Sequence, residues 1–89
     1  MAALRKRSDS FVATTVDDEV LIVDLDRGQL MSLAGTGRAV WEAIDGTRDA
    51  AAIARLLAPR YDTRPAEIEV DVAALADELV AARLVTRGQ

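Results

Sequence analysis

The stretch VLIVDLDRGQLMSLAGTGRAVW, residues 20–41, decides the fold of this chain. Its first six residues form a nearly continuous apolar run, too short for a helix and bounded by turn residues at both ends. Such a run reads as a central β-strand buried on both faces. Asp26-Arg27-Gly28 then reverses the chain, with Gly28 free to take positive φ. After the reversal the pattern alternates, with Gln29, Met31 and Leu33 on one face and Leu30 and Ser32 on the other, the period of a second strand. Ala34-Gly35-Thr36-Gly37 breaks that strand. Thr36 is placed to cap a helix carrying Val40, Trp41 and Ile44.

Upstream, residues 11–16 are apolar and β-branched enough for another strand, and Asp17-Asp18 supplies a tight polar turn. Three antiparallel strands in meander order follow. Residues 1–10 are polar, basic and without periodicity, which predicts a flexible N-terminal arm ahead of a domain over residues 11–86. Downstream the chain is helical. Asp45-Gly46 ends the first helix, Asp49 caps a second with Ile53, Leu56 and Leu57 on one face, and Tyr61 lies just beyond. Pro65 opens the longest helix, where a missing N–H costs nothing. Its apolar stripe is Ile68, Val72, Leu75 and Leu79, widened by Ala76 and Val80. Leu84-Val85 reads as a short return strand. The predicted class is α+β, a winged helix-turn-helix-like domain with a three-stranded antiparallel sheet followed by three helices.

Composition narrows the function. The 89 residues contain no Cys and no His, so disulfides, thiol nucleophiles, imidazole bases and Cys/His zinc sites are excluded within the chain. Asp17-Asp18-Glu19 lacks the alternating ligands of an oxygen-donor loop and reads as a turn, so no metal and no cofactor is expected. No apolar run approaches the ~20 residues that span a bilayer. Arg5-Lys6-Arg7 is followed by Ser8-Asp9-Ser10 and not by an apolar segment, so it is not read as a secretory signal. The absence of Cys fits a cytoplasmic location. Arg5, Lys6 and Arg7 are three of eleven basic residues, leaving eight against fifteen acids, a balance of −7 for the body. A body that acidic repels a phosphate backbone.

The chain resembles the PqqD-like domains, also called RiPP recognition elements, which bind leader segments of ribosomally made precursor peptides. The resemblance is carried by Asp18-Glu19-Val20, Leu25-Asp26-x-Gly28, Leu33-x-x-x-Gly37-x-x-x-Trp41, Asp45-Gly46, the segment 53–57, Tyr61 and residues 71–84. It runs from about Val16 to Val85. The sequence departs from the family's pattern at Ala34, where Asn is common and would cap a helix for about 1 kcal/mol, and at Leu30 and Met31, where aromatics are frequent.

The resemblance implies that a leader peptide adds as an extra strand beside the strand over residues 29–33 and lies next to the last helix. Physical chemistry points the same way, because an edge strand offers unpaired amides and carbonyls and leaves specificity to side-chain pockets. The predicted leader-binding residues are Gln29, Leu30, Met31, Ser32 and Leu33 on the strand, with Asp71, Val72, Leu75, Ala76 and Leu79 on the helix. Asp71 and Asp77 are candidates to meet a basic leader residue, and Trp41 is assigned to the core.

Within the family, the 89-residue length and the Ala/Arg-rich final helix look most like the stand-alone, non-catalytic leader-binding subunit of lasso peptide biosynthesis, which delivers its precursor to a separate leader peptidase or other modifying enzyme. Such a subunit is expected to be a monomer when bound to leader, with no nucleic-acid or membrane partner. The close alternative is the PqqD peptide chaperone of pyrroloquinoline quinone biosynthesis, which works with a radical SAM enzyme. A purely structural subunit of an enzyme complex is a third reading. A DNA-binding winged helix is the rival of another class, and it would need basic residues where the last helix carries Glu67, Glu69, Asp71, Asp77 and Glu78.

Overall fold

In the computed structural model, which describes residues 2–88, the chain runs β1 (Leu4–Lys6), β2 (Phe11–Val16), β3 (Glu19–Asp24), β4 (Leu30–Ala34), α1 (Gly35–Ala43), α2 (Ala50–Leu57), α3 (Pro65–Ala81) and β5 (Val85–Arg87). Two tight reversals organise its first half. Asp17 takes φ 54° between β2 and β3, and Gly28 takes φ 69° between β3 and β4. At the second reversal the amide of Gly28 donates to the carbonyl of Asp24 at 2.7 Å, and the amide of Asp24 donates to the carbonyl of Gln29 at 2.9 Å. Two residues of one strand thus oppose one of the other, a bulge whose first position needs left-handed backbone and therefore Gly. The Asp24 carboxylate closes the turn by accepting from the amides of Asp26 at 2.8 Å and Arg27 at 3.3 Å.

The sheet is antiparallel in the order β2-β3-β4. Val20, Ile22, Asp24 and Leu33 are buried on the face that meets the helices. The other face carries the cross-strand row Val12, Val23 and Leu30, all exposed. The expectation that residues 20–25 are buried on both faces is therefore corrected: β3 is central, but helices cover one face only. Its apolar outer positions, Leu21 and Val23, are what made the run look continuous.

α1 begins directly where β4 ends. Ala34 is extended, Gly35 takes φ 56°, and no side chain among the described residues caps the helix, so Thr36 does not supply the cap expected of it. Thr36 lies inside the first turn, where its hydroxyl follows the point at which a cap must sit. Asp49 does cap α2, its carboxylate accepting from the amide of Ala52 at 2.8 Å. On α2 the buried positions are Ile53, Ala54 and Leu57, while Leu56 is 43% exposed, against the predicted face. α3 starts with Pro65 in its first turn and buries Ile68, Val72, Ala76 and Leu79. Trp41 is buried, meeting Phe11 edge-on with ring centroids 5.2 Å apart.

The N-terminal segment is not an arm. Leu4–Lys6 pairs antiparallel with Val85–Arg87, the return strand anticipated at Leu84-Val85. The Leu4 side chain is 1% exposed within the core. The amide of Leu4 donates to the carbonyl of Arg48, the amide of Gly46 donates to the carbonyl of Leu4, and the ammonium of Lys6 lies 4.6 Å over the Trp41 ring. One buried leucine and a strand partner at the other end of the chain leave no periodic signature in a ten-residue basic segment. Met1, the first residue of that expected arm, lies outside the described residues.

Candidate functional site

The hydrogen-bond phase of β4 determines what its outer edge presents. Antiparallel pairs alternate between residues that exchange backbone bonds and residues that do not. The Asp24–Gln29 bond fixes the phase, so within the register Ile22 pairs with Met31 and Val20 with Leu33 through their backbones. The amides of Leu30, Ser32 and Ala34 consequently point away from β3. Among the described residues β4 has no neighbour on that side, so Leu30 and Ser32 offer both donor and acceptor to an incoming strand. The carbonyl of Gln29 is taken by Asp24, so Gln29 lies at the end of the free edge and not within it.

α3 runs alongside this edge in the opposite direction. At its C-terminal end Ala82 and Leu84 join Ile22, Asp24, Gln29, Leu30 and Met31 around a small, largely apolar cavity. In the middle, Leu75 approaches Gly37 closely enough that a Cβ there would lie 3.9 Å from the Leu75 side chain and 3.6 Å from that of Leu33. At the N-terminal end Ile68 and Asp71 face Thr36, Tyr61, Thr63 and Glu67 across a second cavity of about 200 Å³. A groove thus follows β4 from Met31 past Leu75 to Tyr61.

The predicted site residues divide by burial. Leu30 is 65% exposed, Ser32 and Asp71 are exposed, and Met31 and Leu75 are half-buried against the core. These five flank the groove or its edge. Val72, Ala76 and Leu79 are 0% exposed and Leu33 is buried, so they form the groove's floor and support and cannot touch a ligand without rearrangement. The stripe predicted on the last helix faces the core, and of its members Leu75, half-buried, and Ile68, at the second cavity, reach the groove. Asp77 does not face the groove as an unshared charge: its carboxylate pairs with Arg87 of β5. Ala82, Thr36 and Tyr61 line the two cavities and were missed, as were Ile22 and Leu84, which are buried and form the floor of the first. Ile22 and Ala82 had a signal, as cross-strand partner of Met31 and as the next position, seven on, of the helical stripe through Leu75.

Ser32 donates its hydroxyl to the Glu19 carboxylate across the outer face. Glu67 accepts from Arg64 and from the Thr63 hydroxyl, and these bonds, Arg64 first, hold its pKa below the usual glutamate value. Asp71 has no ion pair among the described residues. The opposite edge of the sheet, on β2, is also open, with the amides of Phe11, Ala13 and Thr15 pointing outward by the same alternation. Its adjoining cavity has mixed walls that include Lys6, Thr14, Thr15 and Glu42. Among the described residues no acidic cluster is placed to hold a metal ion, and no helix is long and apolar enough to cross a membrane.

Fold and edge together define a small winged-helix-like α+β domain with an open strand beside a helical groove. The chain belongs to the family of coenzyme PQQ synthesis protein D (PqqD), whose model matches residues 19–85. Among solved structures it is similar to TbiB1 in complex with the TbiA(beta) leader peptide, at 22% identity and TM-score 0.80, over 91% of this chain and 93% of that one. It is also similar to lasso peptide synthetase B1 complexed with the leader peptide, at 20% identity and TM-score 0.80, over 93% of this chain and 96% of that one. No curated protein matches the chain.

Proposed function

We propose that this protein binds the leader segment of a ribosomally made precursor peptide by strand addition at β4, and presents it to separate maturation enzymes without catalysing a step itself. The observation that carries the reading is the phase of β4: the backbones of Leu30 and Ser32 face outward beside an apolar cavity that includes Met31, Ala82 and Leu84. An added strand gains backbone bonds at Leu30 and Ser32 and places alternate side chains over the groove. Two solved structures of the same fold are leader-peptide complexes, which supports the same reading.

Binding must offset the ordering of a flexible peptide, about 2–5 kcal/mol. Two to four backbone bonds and one or two filled cavities bring the complex to a micromolar Kd or tighter, about −8 kcal/mol. Calorimetric titration with candidate leader peptides tests this directly. A folded Met31→Asp variant, checked by circular dichroism, should lose leader binding; unchanged affinity in that variant overturns the groove assignment.

The pathway follows from which leader binds. The fold shared with lasso B1 proteins favours a lasso peptide precursor and a leader peptidase as the receiving enzyme. The family description, coenzyme PQQ synthesis protein D, supports as the second reading a peptide chaperone of pyrroloquinoline quinone biosynthesis; its receiving enzyme would then be a radical SAM enzyme. Titration with both classes of leader separates them. A DNA-binding role is disfavoured because the exposed positions of α3 include Glu67, Asp71, Asp77 and Glu78. Tight duplex binding in a low-salt gel shift would reverse that ranking.

A further inference from the structure

We infer that the groove selects a leader segment with a basic residue followed at two-residue intervals by two apolar residues, basic-x-apolar-x-apolar in the N-to-C direction, the basic side chain entering the cavity of Tyr61 and Asp71. The inference rests on the strand-addition reading and specifies its ligand.

The order follows from strand geometry. Residues of an added strand that pair with Leu30, Ser32 and Ala34 share their face and point to the outer side of the sheet. The intervening residues, opposite Met31, Leu33 and the β4–α1 junction, point into the groove. Opposite Met31 the wall is Ala82, half-buried, over the apolar floor of Ile22 and Leu84. Opposite Leu33 it is Leu75. Opposite the junction the character changes to a phenol, two threonine hydroxyls and two carboxylates beside Ile68: Tyr61, Thr36, Thr63, Glu67 and Asp71. On the other side of Tyr61 an adjoining cavity holds Gly35, Arg60 and Arg38, whose guanidinium is already shared with Asp18 and Glu42, so the acidic side of Tyr61 is the one open to a cation.

That last cavity suits a cation. Tyr61 is 40% exposed and brings an aromatic ring to the cavity, while Asp71 supplies a carboxylate with no internal partner among the described residues. Glu67 is already shared with Arg64, so Asp71 is the group that gains most from a new positive charge. From the position opposite Met31 to the one opposite the junction is four residues, about 13 Å of extended chain. A lysine or arginine side chain covers the remaining distance as α1 turns away. Every strand pair in the sheet is antiparallel, and an added strand that continues this arrangement meets the junction first, which puts the basic residue at the N-terminal end.

The test is selection of a displayed library of random twelve-residue peptides on the full chain, followed by titration of the best binder and its lysine-to-norleucine analogue. The expected result is enrichment of basic-x-apolar-x-apolar, and about a five- to tenfold affinity loss on the norleucine exchange. Against Asp71→Asn, whose site is exposed and outside the core, the same exchange should change affinity less than about twofold. Tyr61→Leu should give an intermediate loss. Enriched peptides without the basic position, in reversed order, or with equal norleucine losses in wild type and Asp71→Asn, overturn the inference while leaving strand addition standing. Retention of no peptide, together with no binding of the candidate leaders, overturns strand addition and the inference with it.

Discussion

Ile22 of the central strand and Met31 of the edge strand face each other in register and exchange their backbone bonds, so the amides on either side of Met31 turn outward. This relationship divides β4 into residues that hold the sheet together and residues that are open to a second chain. It also separates two effects of the same substitution. Proline at Ser32 removes an outward N–H and is tolerated at an edge. Proline at Met31 removes a ladder bond. Ser32→Pro should fold normally and bind leader at least about tenfold more weakly, the effect of losing about 1.4 kcal/mol, whereas Met31→Pro should melt at a lower temperature. Calorimetry and thermal melts read the two outcomes, and the reverse pattern would mean that the phase of β4 is shifted by one residue.

Leu4 anchors the N-terminal strand in the core. Leu4→Ala should cost about 2–4 kcal/mol, as for other buried leucines, seen in urea melts. An unchanged midpoint would mean that residues 4–6 behave as a loose arm after all.

Asp49 caps α2, whereas Thr36 caps nothing. Asp49→Ala should destabilise the protein by about 1 kcal/mol, while Thr36→Ala should stay within about 0.5 kcal/mol of wild type. Equal losses in paired denaturant titrations would show that Thr36 contributes to helix initiation.

Lys6 gives a pH-dependent signal. Burial lowers its pKa from 10.5, with Glu42 and Asp45 opposing the shift. When a lysine pKa is lower folded than unfolded, the unfolded chain binds more protons between the two values, so stability rises with pH across that window. Lys6→Met keeps an unbranched stem against Trp41 and should abolish the rise. Stability that instead falls through the same range would show that the ammonium's contact with the Trp41 ring outweighs its desolvation.

Much of this architecture was legible in the chain because local chemistry and tertiary packing agree. Gly28 predicts its reversal since only left-handed backbone closes the bulge against Asp24. Asp49 and Pro65 mark helix starts because both act within one turn of where they sit. The alternation of residues 29–33 gave the faces of β4 correctly. What could not be read is set by distant partners. The pairing of Leu4–Lys6 with Val85–Arg87 depends on a strand at the other end of the chain. Whether residues 20–25 are covered on one face or two depends on where helices pack. On α3, Val72, Ala76 and Leu79 obey the helical period of a core face equally well whether or not a ligand lies nearby. Only the neighbours of Leu75 show where the groove begins. The same holds for Asp77, whose partner Arg87 is brought beside it by the course of β5.

The central claim is that an incoming peptide pairs with the backbone of β4. Amide hydrogen exchange, measured residue by residue with and without bound leader peptide, tests it most directly. Leu30 and Ser32 should become protected on binding while Phe11, Ala13 and Thr15, on the opposite open edge, exchange as before. Protection on β2, or a saturated complex in which the Leu30 and Ser32 amides exchange unchanged, would contradict it.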